Sequence, residues 1–159
     1  MAFTTDNLLN DGDIEVIVRQ DSALDVTDEE YAEYIRTCDE ELLKFKDGEE
    51  PTRFVMKRQI SLKHATAIEN AKVRYDQSGD MTLQLGFIFM EIRACLKEIK
   101  NPPSVPKDKQ IVLKFTGDGL LEEKLMANLV ASGIVTNLYN ARQAFVSKMQ
   151  RRDGDLKKS

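Results

Sequence analysis

MTLQLGFIFMEIRACLKEIK, residues 81–100, is the most apolar stretch of the chain, and its reading decides the fold. It carries two periodicities. Leu83, Leu85, Phe87 and Phe89 alternate along the chain, as in a half-buried strand. From Leu85 onward, Leu85, Ile88, Phe89, Ile92, Cys95, Leu96 and Ile99 recur at steps of three and four, the helical pattern. The helical pattern is the longer, and Glu91, Arg93, Lys97 and Glu98 punctuate it at polar positions. One helix over Met81–Lys100 is therefore expected, capped by Asp80 or Ser78 and stopped by Asn101-Pro102-Pro103. Its first half is expected to be buried nearly all round. Gly86 costs about 1 kcal/mol there relative to Ala, which close approach of another helix would offset. Glu91 interrupts the run, so it falls short of the roughly 20 apolar residues of a membrane span.

The flanking sequence divides into further elements. On the N-terminal side, Ser61 caps a helix over Leu62–Gln77, and Ser78-Gly79-Asp80 is a link short enough to make an antiparallel pair with the central helix. Thr52–Arg58 reads as a strand. Thr27-Asp28-Glu29-Glu30 is a capping box that opens a helix over Asp28–Lys46, with Tyr31, Tyr34, Ile35, Cys38, Leu42 and Phe45 at helical spacing. Ile14–Val18 is a short β-branched strand, and Met1–Asp13 is an extended end with a turn at Asp11-Gly12-Asp13. On the C-terminal side, Asn101–Lys109 is a proline-stiffened loop and Ile111–Phe115 is a third strand candidate. Helices follow over Leu120–Ala131 and Ile134–Met149, separated by Gly133, and the polar tail QRRDGDLKKS is expected to be disordered.

The expected fold is mostly α, with about five helices and a small β element of two or three short strands. Residues 1–26 form an extended segment with a short strand, 27–149 a single helical domain, and 150–159 a basic tail. At 159 residues the chain is one domain by length and large enough for a real core. Its first residues lack a basic run followed by an apolar one, so no secretory leader is expected. Cys38 and Cys95 stand in no metal or redox spacing and suit a reducing compartment. The net charge of −4 conceals an asymmetry. Residues 1–50 hold 16 Asp/Glu and 4 Lys/Arg, a balance of −12, while residues 51–159 hold 11 and 19, a balance of +8. Either the acidic segment lies over the basic body of its own chain, or it docks on a neighbouring copy or competes with an acidic ligand.

No constellation of catalytic or metal-binding residues closes. With Gly12 at the sixth position of a calcium loop, the ligand positions fall on Asn7, Leu9, Asp11 and Val18, and Leu9 and Val18 offer no side-chain oxygen. Gly117-Asp118-Gly119 precedes a helix but lacks the lysine of a phosphate loop, and Asp118 would repel an anion. His64 lies one helical turn from Ser61 without a carboxylate to orient it. Glu40, Glu41, Glu49 and Glu50 read as a solvated face. Arg53, Lys57, Arg58 and Lys63 cluster with Phe54, and the tail adds Lys148, Arg151, Arg152, Lys157 and Lys158, but a pI of about 5.2 and the lack of Trp argue against nucleic-acid binding. No cofactor and no metal are expected.

The stretch Asp47–Ser61, DGEEPTRFVMKRQIS, is a Gly-Glu-Glu-Pro-Thr turn, a short strand and a serine-capped helix start. Together with the helices after it and the segment Leu125–Ala141, it resembles the small tail-assembly chaperones of long-tailed bacteriophages. The likeness is one of layout and covers residues 24–145. It implies a non-enzymatic protein that coats an apolar tape-measure protein in the host cytoplasm until tube subunits replace it, or a small structural protein of the virion. That family offers no catalytic residues to carry over. The residues themselves agree in one respect: Leu121, Leu125, Leu129, Leu138, Tyr139, Arg142, Phe145 and Met149 present more helix surface than one layer needs. They are the expected partner-binding residues, for a second copy or a tape-measure-like protein. The alternative reading is a regulatory or adaptor domain, with nucleic acid as its ligand.

Overall fold

A computed structural model describes the backbone of residues 12–158 and the side chains of residues 12–150. The expected extended end, the Asp11 side of its turn and most of the calcium-like loop lie outside the described residues. The described residues form five α-helices and a small three-stranded antiparallel sheet. Strand β1 is Ile14–Val16, helix α1 Asp28–Thr37, strand β2 Arg53–Met56, helix α2 Leu62–Ser78 and helix α3 Met81–Cys95. Strand β3 is Leu96–Lys100, helix α4 Glu123–Ser132 and helix α5 Val135–Lys158. The sheet order is β1-β2-β3, with Ile14 opposite Met56 and Phe54 opposite Ile99.

The stretch that decides the fold is two elements, not one. Helix α3 ends at Cys95, and Leu96 leaves the helical region with ψ 124°. The chain then enters β3 without a loop. The helical spacing of Leu96 and Ile99 has a specific cause. Along β2–β3, Val55 pairs with Glu98 and Met56 with Leu96, so Lys97 is an extra residue bulged out of the ladder. The bulge turns both Leu96 and Ile99 inward, three positions apart, and so mimics a helix face.

The burial of α3 is also the reverse of expectation. Its second half is inside, through Phe87, Ile88, Glu91, Ile92, Ala94 and Cys95, while Met81, Leu85 and Met90 are exposed. Gly86 brings no helix close: a Cβ built there meets nothing within 4 Å. Gly86→Ala should therefore stabilise the chain by about 0.5–1 kcal/mol. A rise in urea midpoint at unchanged slope is the expected measurement, and a fall would mean that the site is crowded.

The caps explain where the other helices begin and end. Thr27 accepts from the Glu30 N–H at 3.1 Å while Glu30 accepts from the Thr27 N–H at 3.0 Å, closing the capping box. Helix α1 stops nine residues before the expected Lys46. Cys38 takes a left-handed conformation (φ 58°), and Asp39 caps a 3-10 turn at Glu40–Leu42. The chain doubles back so that Phe45 pairs with Leu24 and Leu43 joins Ile17, Tyr31 and Tyr34 in a small second core. Helix α2 begins after Ser61, whose side chain makes no capping bond, and closes on Gly79 (φ 68°). Asp80 then caps α3, accepting from the Thr82 N–H at 2.9 Å. Tyr75 meets Phe87 and Lys72 meets Glu91, so the two helices run antiparallel.

One further expectation changes. Ile111–Phe115 is not a strand of the sheet: the free side of β2 is already taken by β3, and only Phe115 makes an isolated bridge, to Leu121. Within residues 14–26, β1 pairs with β2, and Ile17 and Leu24 pack on Tyr31 and Tyr34. At the other end, the backbone of α5 stays helical to Lys158, past the end of the apolar pattern at Met149.

Candidate interaction surface

The expected partner-binding residues mostly serve the chain's own core. Leu121 and Leu138 are fully buried in the main cluster with Ile92, Leu96 and Val16. Leu125, Leu129, Tyr139, Phe145 and Met149 are half-buried against the same cluster. Phe145 stands edge-on to Tyr34 at 5.9 Å, and Tyr139 lies 6.3 Å from Phe87. The α5 stripe thus has cover from its own chain: α1 on one side, α3 on the other. What remains reachable is a groove of about 280 Å³ beside β1, lined by Ile14, Cys38, Phe145, Lys148 and Met149 among others.

Arg142 is the clearest departure from a flanking surface charge. It is buried, and its Nη2 donates to the carbonyl oxygens of Arg58 at 2.7 Å and Lys57 at 3.0 Å. Its Nη1 lies 3.4 Å from the equally buried Glu91 carboxylate. Lys72 Nζ approaches the other Glu91 oxygen at 3.7 Å, and Gln143 donates to the same carboxylate. Both carboxylate oxygens are thereby committed, and the cluster ties α2, α3, α5 and the end of β2 together. The pattern held a signal for this: Glu91 sits three residues after Ile88 and four before Cys95, on the apolar stripe itself. A charge in that position needs a buried counterion.

Among the described residues, three carboxylates of the acidic first third pair with basic residues further along the chain. Asp13 meets Lys97 at 2.8 Å, Glu40 meets Arg53 at 2.5 Å, and Glu15 pairs with Lys100. These partly exposed pairs are each worth little. They also occupy Arg53 of the basic cluster, while Lys63 is held by Asp118 at 3.2 Å. Two of the four charges clustered near Phe54 are thus in intramolecular pairs.

The remaining polar candidates are in structural use. His64 Nε2 donates to the Asp118 carbonyl oxygen at 3.0 Å, and Asp118 stands in a turn completed by Gly119 (φ 81°). Burial pushes the Cys95 thiol up to about 12, so it stays protonated at neutral pH. Among the described residues no three His, Cys, Asp or Glu side chains come close enough to hold a metal ion. Among them, too, no helix is long and apolar enough to cross a membrane.

What the molecule does display is apolar surface elsewhere. Leu62, Val73, Met81, Leu85 and Met90 are exposed on the α2–α3 pair, and Ile111, Val112 and Phe115 on the segment after the proline loop. Met90 also borders a groove of about 320 Å³ between α2 and α3, floored by Ala67, Ile68, Ala94 and Leu120 and rimmed by Lys63, His64 and Arg93. The chain matches no protein-family model, and no curated protein or solved structure was found to be similar to it.

Proposed function

We propose that the chain is a non-enzymatic assembly protein that works by holding another protein, most specifically a tail-assembly chaperone of a long-tailed phage acting in the host cytoplasm. The observation that carries this reading is the apolar surface left exposed on α3: Met81 and Leu85 near its start, and Met90, on another side of the helix, at the α2–α3 groove. The unbranched side chain of Met90 at the groove repacks readily, which suits a partner whose contacts vary along its length. An amphipathic helix of a tape-measure-type protein is such a partner. The surface used is α3, not the α4–α5 stripe expected from the sequence.

Co-expression with a tape-measure-type protein tests this. The partner should stay soluble and co-purify with the chain. The Leu85→Glu/Met90→Glu double variant should fold normally by circular dichroism and lose the complex. If the partner precipitates equally with and without the chain, the assembly reading fails. A salt-dependent gel shift in its place would favour the regulatory alternative.

A further inference from the structure

We propose that Arg93 anchors a carboxylate of the partner helix, so that the α2–α3 groove selects an amphipathic helix with one acidic residue inside its apolar stripe. Met90, Arg93 and Ala94 stand at i, i+3 and i+4 of α3 and so share one side of that helix. With Ala67 and Ile68 of α2 and with Leu120, they line the groove of about 320 Å³. Arg93 lies in the last turn of α3, where carbonyls lack an intrahelical donor. The Leu121 N–H fills that gap, donating to the Arg93 carbonyl at 3.1 Å, and the Arg93 Nε donates back to the Leu121 carbonyl at 2.8 Å. The side chain is thus held through Nε, yet its two Nη groups make no hydrogen bond or ion pair among the described residues.

A half-buried guanidinium held at one nitrogen offers a fork of donors in a set plane, the complement of a carboxylate. The apolar floor of the groove keeps water from one side of such a pair and strengthens it over a pair in open solvent. The groove's own carboxylate does not compete: Asp118 is paired with Lys63 at 3.2 Å and makes no ion pair with Arg93. Arg93 is therefore a cation of the lining without a counterion among the described residues. A partner bringing one carboxylate balances it, whereas a doubly charged phosphate would also meet Asp118. An Arg93 anchor rests on the partner binding proposed for α3 and deepens it, since it names the chemistry that the partner presents at the groove.

Calorimetric titration of the purified full chain with two amidated helical peptides of about 18 residues is the test. Both carry a leucine stripe; one has a glutamate inside the stripe, and its twin has glutamine there. The glutamate peptide should bind about tenfold more tightly than its twin, and the difference should shrink as salt is raised. Arg93→Met should remove the difference. Arg93→Lys, which keeps the charge and loses the fork, should retain only part of it. The wild-type chain alone shows the preference, so the outcome does not hang on either variant folding. Equal binding of the two peptides, binding of neither, or a glutamate preference that survives in Arg93→Met overturns the anchor. Co-expression with a tape-measure-type protein then still measures partner binding by itself.

Discussion

Glu91→Ala should cost about 3–5 kcal/mol of stability, the largest effect expected of any single change in this chain. The carboxylate is 5% exposed and faces Arg142, itself 6% exposed. Removing it leaves a guanidinium buried with no counterion and Lys72 without its inner partner. Against a total of about 5–15 kcal/mol for a domain of this kind, the variant should unfold at a much lower urea concentration with little change in slope. Arg142→Met should be similarly costly, since the Lys57 and Arg58 carbonyls also lose their donors. The double variant Glu91→Leu/Arg142→Met separates breaking the pair from lacking it. Apolar replacements of buried pairs are often neutral or better, and Lys72 can still turn to Glu69, 3.6 Å away. The double variant should therefore be more stable than either single one, with a coupling between the two sites of about 0.5–3 kcal/mol. If Glu91→Ala unfolds at the wild-type midpoint, the buried cluster does not hold the helices together.

The same cluster shows which features of the molecule were legible in its sequence. Local signals read true: the Thr27 capping box, the Asp80 cap, and glycines 79 and 133 closing their helices in the left-handed region. Each acts within one turn of chain. What misled were signals whose outcome depends on distant residues. Leu96 and Ile99 looked helical because a bulge at Lys97, set by pairing with Val55 and Met56, spaces inward residues three apart. Leu42 and Phe45 continued the pattern of α1, yet the chain turns at Cys38 because Leu24 and Tyr34 offer Leu43 and Phe45 a place to pack. Phe145 looked unclaimed because its cover comes from Tyr34, more than a hundred residues earlier. The five helices follow from local periodicity. The surface left over for a partner does not, because it is whatever the long-range packing fails to cover.

Ile92→Ala and Leu85→Ala lie two turns apart on α3 and should behave oppositely. Ile92 is completely buried against the sheet and α5, so its truncation should cost about 2–5 kcal/mol, a fall in melting temperature on the order of 10 °C for a chain of this length. Leu85 is 46% exposed. Its truncation removes little buried surface and installs the best helix former, so stability should move by no more than about 0.5 kcal/mol. An amphipathic helix buried nearly all round would show two large losses. A helix with one face given over to a partner shows one. The comparison should be made at low protein concentration, where no second copy covers α3. If Leu85→Ala is then as damaging as Ile92→Ala, the outer face of α3 is packed within its own chain and has no room for a tape-measure-type helix. If the Leu85→Ala loss appears only as the protein is concentrated, α3 is an interface between copies. A Leu85→Ala variant indistinguishable from wild type at both concentrations leaves that face free for a different protein.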